Sequence, residues 1–285
     1  MSGTPVLKTW EEAVRWLRAQ PDKQELVRAS YYDDPLPATA ARYWQSEEWA
    51  AVRGLLPAAC GRALDIGAGR GIASYALAKD GFKVTALEPD GSALVGAQAI
   101  RRLAIESGLE IEVTQEFSER LPFDDKQFDV VFARAVLHHT SDLAAACREF
   151  LRVLKPGGVL LAVREHVISR PEDLPAFFDI HPLHKFYGGE NAFMLREYRK
   201  AISDAGFDIQ SVLSPLESPI NYAPQTLRSL QGEVAKRLTR RLPFGFGLAE
   251  ALFAIPSVWA VARRLLTAVD RRPGRLYSFV CRRPA

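Results

Sequence analysis

At 285 residues the chain is long for one domain and short for two, which points to one large domain carrying insertions. With 48% hydrophobic and 25% charged residues it can bury a sizeable core, and a disordered or collagenous chain is excluded. The net charge of +3 is unevenly spread: between positions 236 and 283, eleven basic residues meet two acidic ones, leaving the remainder acidic. Cys60, Cys147 and Cys281 are widely spaced with no CxxC pair, so a disulfide framework is disfavoured and a reducing, cytoplasmic setting is expected. Residues 1–12 lack a basic start followed by an apolar run, so no secretory leader is expected.

In chain order, residues 6–19 carry Trp10, Val14 and Leu17 at helical spacing, and Pro21 ends that helix. Residues 31–37 (YYDDPLP) read as a loop, and 46–56 as a second helix. From Arg62 onward strands and helices alternate, the signature of a doubly wound, mostly parallel α/β sheet. Strands are expected at 63–66, 83–87, 111–117, 128–133, 159–163, 207–213 and 276–281, seven in all. Helices are expected at 72–79, 94–107, 142–154 and 192–205, the third capped by Ser141 or Asp142 and closed by Lys155-Pro-Gly-Gly158. The expected organisation is a helical lead-in over 1–60, an α/β core over 61–213, a helical insertion or lid over 214–275 between strands six and seven, and the last strand over 276–285.

The first strand runs into Leu64-Asp-Ile-Gly-Ala-Gly-Arg-Gly71, whose glycines permit the sharp turn and close backbone approach that a ligand needs at a helix start. Glu88 ends the second strand, where a carboxylate can take both hydroxyls of a ribose. A nicotinamide dinucleotide is disfavoured, because Ile72 occupies the third small position of that fingerprint.

Together LDIGAGRG, ALEPD, ERLPFDDKQFDVVFARAVLHH and LKPGGVLLA resemble the class I S-adenosylmethionine-dependent methyltransferases, over 62–213 and the final strand. The resemblance implies a Rossmann-like methyltransferase fold with S-adenosylmethionine as cofactor. It implies that Asp65 and the Gly67, Gly69 and Gly71 backbone hold the methionine part, and that Glu88 holds the ribose. The position that is often acidic near the adenine falls here on Phe117, with Ser118 next, so those two are assigned to the adenine. Ala133 and the residues after it should face the sulfur.

All five histidines lie between positions 138 and 184. Residues after strands four and five lie at the carboxyl edge of the sheet, where ligands bind in this architecture. His139, His138 and His184 are therefore candidates for the base, and Glu165, His166, His181 and Tyr187 for acceptor contacts. Structural roles and a metal site are the competing readings; no HExxH-like spacing appears, and no metal is expected. The implied reaction is methyl transfer to a small or medium-sized acceptor, at a hydroxyl oxygen, of saccharide or lipid-linked type. A non-methylating enzyme or binding module of the same fold is the alternative. RNA ranks lower and no nucleic-acid partner is expected, since no aromatic–basic recognition motif or asparagine-proline motif is present.

Residues 242–262 contain one charge, Glu250, but Pro243, Gly245, Gly247 and Pro256 argue against a membrane span. Val261, Ala262, Leu265, Leu266 and Val269 keep helical spacing and should face the core or each other. The 236–275 region is expected to form a lid or to touch an anionic membrane peripherally.

Overall fold

The strand alternation expected from the sequence builds a sheet with helices on both faces. In this computed structural model residues 9–180, 184–188, 190–240 and 245–285 are described. The strands are β1 (Arg62–Ile66), β2 (Lys83–Leu87), β3 (Ile111–Thr114), β4 (Phe128–Arg134), β5 (Leu154–Ile168), β6 (Phe193–Met194), β7 (Asp208–Leu213) and β8 (Arg275–Arg282). Their order is β3-β2-β1-β4-β5-β8-β7, with the two-residue β6 paired to β5. All pairings are parallel except those of β8, which runs antiparallel to both β5 and β7.

Successive residues of the central strands point to opposite faces. Leu64, Val131, Leu160 and Ala162 pack with Phe150 and Tyr198 of helices Leu143–Val153 and Leu195–Ala205. Ala63, Val130, Phe132 and Leu161 pack on the other face with Tyr43, Trp49 and Leu77. Tyr43 and Trp49 belong to the helices Leu36–Trp44 and Glu47–Arg53, so the N-terminal region supplies part of one covering layer. The helix from Leu36 begins inside the stretch read as a loop, because Pro37 falls in its first turn, where the missing N–H is no loss. The turn expected at Lys155-Pro-Gly-Gly158 lies within β5, which starts at Leu154 and pairs irregularly with β4 there.

Between β7 and β8 the chain forms helices Pro219–Tyr222, Leu227–Leu238, Phe246–Phe253 and Pro256–Val269. Leu230, Ala235, Phe253 and Trp259 form a separate small core among them. The expected apolar stripe is split here. Val258, Trp259 and Ala262 face that core, whereas Val261, Leu265 and Val269 are exposed. Trp259 is the largest apolar side chain of the helix, and burying it sets the helix rotation. No single described helix is long and apolar enough to cross a membrane.

Candidate active site

β1 delivers the chain into the turn at Gly67, Gly69 and Gly71, all at positive φ (59°, 56° and 82°). At Gly67 a Cβ would lie 2.8 Å from Val136 Cγ2, so the turn is closed to other residues by sterics as well as by backbone conformation. Glu88, just past β2, braces this turn: one carboxylate oxygen accepts from the Gly69 N–H at 2.7 Å, the other from Asp90 N–H at 2.9 Å. Two of its roughly four lone-pair sites are thereby used, which leaves acceptors for a pair of hydroxyls. Burial pushes the Glu88 carboxyl up, against the backbone hydrogen bonds that lower it. Asp65 is buried at the end of β1, accepts from Ser74 Oγ at 2.5 Å, and is pushed up to about 7 by burial.

A cavity of about 610 Å³ opens over this turn at the carboxyl edge of the sheet, within the size range of small-molecule sites. Asp65, Gly67, Gly69, Glu88, Phe117 and Ser118 line one side of it. Ser118 Oγ donates to Glu119, which in turn accepts from Ser141 N–H and Oγ, so a network that includes Glu119 and Ser141 fixes the corner that sequence reading assigned to Phe117 and Ser118. The buried Arg70 ties the glycine turn to the N-terminal segment through the carbonyls of Tyr31 and Asp33 and the carboxylate of Asp34.

Residues 64–162 match the family model described as a methyltransferase domain. An O-methyltransferase, resE of Aspergillus sclerotiorum, is 26% identical over 226 residues, covering 74% of this chain and 81% of that protein. A ubiquinone biosynthesis O-methyltransferase of Pseudomonas entomophila (strain L48) is 37% identical over 98 residues, covering 34% of this chain and 41% of the relative, so the chain spans less than half the length of that relative. Among solved structures, a geranyl diphosphate methyltransferase in complex with GPP and sinefungin superposes at TM-score 0.58, 18% identity, covering 96% of this chain and 98% of that one. The [4+2]-cyclase SpnF superposes at TM-score 0.57, 21% identity, covering both chains fully (100% and 100%). These two likenesses concern the fold. The matched domain and these relatives support a class I S-adenosylmethionine-dependent methyltransferase.

S-adenosylmethionine is the cofactor of the family, and the turn is compatible with it: backbone without side chains faces the cavity, and Glu88 lines the same cavity with carboxylate acceptor sites to spare. We expect Glu88→Ala to weaken S-adenosylmethionine binding by about 1.5–3 kcal/mol, roughly 10- to 150-fold, through lost charge-assisted hydrogen bonds. Calorimetry on the variant checks this; an unchanged affinity removes Glu88 from the site.

Several assignments made from sequence are corrected by the methyltransferase's structure. Gly71 is not part of the cavity wall; it lies against Ile100 and starts the helix Ile72–Lys79. Ala133 is fully buried toward the helix Leu143–Val153, because strand alternation turns it away, and Ala135 and Val136 line the cavity instead. His184 stacks on Phe178 at 3.9 Å and does not line the cavity. His181 lies outside the described residues.

Glu165 is the most consequential correction. It is fully buried and makes no part of the cavity wall. One oxygen accepts from the Val136 and Leu137 N–H groups and the other from the His138 N–H, each at 3.1 Å. The second oxygen also meets His138 Nδ1 at 2.7 Å. Burial raises the Glu165 carboxyl while those backbone donors lower it. A bulge causes this placement: β5 shifts register against β8 between Ala162 and Glu165, and Arg164 sits at φ 62°. The bulge re-aims the side chains, so Arg164 approaches Glu48 and Glu165 reaches under the turn after β4.

His138 and His139 both line the cavity, with ring centroids 4.2 Å apart. His166 also lines it, 4.7 Å from His138 by centroids and bonded through Nδ1 to the Gly274 carbonyl at 2.9 Å. Tyr187 lines it and donates to Glu190, a residue that sequence reading did not select. Glu190 Oε2 lies 3.6 Å from His138 Nε2 and 3.9 Å from His139 Nε2. Its place in YGGE, just beyond Tyr187, was the available signal.

Proposed function

We propose that this methyltransferase moves the methyl group of S-adenosylmethionine to a hydroxyl oxygen of a small or medium-sized acceptor, of saccharide or lipid-linked type. The observation that carries the reading is His138, held from behind by the buried Glu165, lining the same cavity as the glycine turn. The cofactor supplies an already activated methyl group, so the chain's own tasks are to orient the acceptor and take up its proton. His138 is the better base than the His139 favoured from sequence. Glu165 holds its Nδ1, which fixes the ring tautomer and leaves Nε2 directed toward the cavity and Glu190. His139, His166 and Tyr187 then border the acceptor, and the O-methyltransferase named among the relatives supports oxygen as the methylated atom.

A second reading has one observation in its favour: ligand atoms of His138, His139 and Glu190 lie within 4.8 Å of one another. A divalent cation held there would bind the acceptor oxygen and lower its pKa, replacing the imidazole as the means of deprotonation. Transfer of labelled methyl from S-adenosylmethionine to hydroxyl acceptors, run with and without chelator, tests both readings. Chelator-resistant transfer supports the imidazole, and chelator-sensitive transfer restored by a divalent ion supports the cation. Retained cofactor binding without any transfer overturns methylation in favour of a non-methylating use of the pocket.

A further inference from the structure

Two consecutive helices of the β7–β8 insertion carry apolar residues on the side that their own core does not use. In Pro256–Val269, the residues Val261, Leu265 and Val269 are 57%, 65% and 71% exposed and follow one another at four-residue spacing. In Phe246–Phe253, Leu248 and Leu252 repeat the pattern, Leu248 being 67% exposed, and exposed Ile255 occupies the corner between the helices. The two helices together have the length and apolar composition of a membrane span, but they bend by 104° at a short break. A bent pair of this kind cannot cross a bilayer as one rod, yet it can lie along the surface of one.

The charge around this face is predominantly basic, although Glu233 pairs with Arg237, Asp270 pairs with Arg272, and Glu250 lies on Phe246–Phe253. Arg264 is exposed next to Leu265 on the same helix, and Lys236, Arg237 and Arg240 are exposed at the end of Leu227–Leu238, which packs against Phe246–Phe253. Arg271 follows the last helix and is also exposed. Arg263, by contrast, is paired with Glu217 and turned toward the protein. Apolar residues flanked by basic ones fit an interface that is hydrocarbon at depth and anionic at the headgroups, which a neutral protein surface would not match.

We propose that the helix pair 246–269 docks this protein on an anionic membrane surface. Val261, Leu265 and Leu248 enter the headgroup boundary, with the basic residues on lipid phosphates. The placement has a consequence for the site: the turn after Val269 leads directly to Leu276, which lines the cavity, and the Gly274 carbonyl within it bonds His166. Docking would bring the cavity wall near the lipid surface and favour the lipid-linked class of acceptor. The docking itself does not depend on the methyl-transfer reading and can fail or hold separately.

Flotation with vesicles of equal parts phosphatidylcholine and phosphatidylglycerol, against pure phosphatidylcholine, tests the proposal. The protein is expected to float with the anionic vesicles only and to be released by high salt. The paired substitutions Val261→Glu and Leu265→Glu should lower the bound fraction roughly tenfold or more. Both positions are exposed, so the thermal midpoint and the affinity for S-adenosylmethionine should not change in that variant, which separates lost docking from lost folding. Failure of the parent protein to float, or equal flotation of the variant, overturns the proposal. A concentration-dependent dimer that Leu265→Glu dissociates, without vesicle binding, would overturn it in favour of a second copy on this face.

Discussion

Replacing His138 with Ala is expected to lower turnover by about 10²–10⁴-fold while leaving S-adenosylmethionine affinity within about twofold, the range for loss of a general base. The cofactor is assigned to Glu88 and the glycine turn, and Glu88 bonds the Gly69 and Asp90 N–H groups, whereas His138 is held by Glu165. His139→Ala is expected to act mainly on acceptor KM, because its ring lines the cavity with 39% of the side chain exposed, whereas the buried His138 is held by Glu165. Glu165 never meets the cavity and is a positioning residue. Its variant therefore needs a readout that general damage would not move. The rate of the parent enzyme should rise with pH as the base loses its proton. A neighbouring carboxylate favours the charged imidazole, so Glu165→Gln should move this rise to lower pH as well as slowing turnover. Steady-state kinetics across pH check both outcomes. Parent-like turnover in His138→Ala removes imidazole base catalysis and leaves positioning, or the cation reading, to account for the rate.

What sequence made legible was whatever is local in the chain. The glycine turn, Glu88 and the strand alternation each depend on a few neighbouring residues, and the structure places them at the cavity as their spacing implies. His138, His139, His166 and Tyr187, which the carboxyl-edge rule groups together, all line the cavity. It missed the direction of Glu165, because one bulged residue at Arg164 reverses which way the side chains of β5 point, and no composition rule marks a bulge at an arginine. Likewise, helical spacing identified an apolar stripe at Val261, Ala262, Leu265, Leu266 and Val269, yet period alone cannot say which of its members are buried. Trp259 decided that. The ties at Arg70 and Glu48 span long stretches of chain and leave no local trace.

The tie at Glu48 supports the last expectation: Glu48→Ala should destabilise the fold by about 3–5 kcal/mol, the range for removing one partner of a buried ion pair. Glu48 is buried in the helix Glu47–Arg53, which Ser46 caps. Its two oxygens accept from Arg134 Nε at 2.7 Å and Nη2 at 3.2 Å, and Arg164 Nη1 lies 3.8 Å away. Burial alone would lower the Arg134 guanidinium, but the Glu48 carboxylate holds it above its ordinary value. Arg164, farther from that carboxylate, is lowered by burial. Removing Glu48 thus leaves two guanidinium groups bordering the cavity without their shared anion. Arg164 keeps its bonds to the Ile220 and Ala223 carbonyls and Arg134 keeps the faces of Tyr31 and Tyr43, which limits the loss. Urea unfolding measures the effect. The double variant Glu48→Met, Arg134→Met should recover part of it, since apolar replacement of a whole buried pair is often near neutral. A single variant within about 0.5 kcal/mol of the parent would show that the pair is solvated in solution, and that the N-terminal helices do not depend on it to hold the cavity wall.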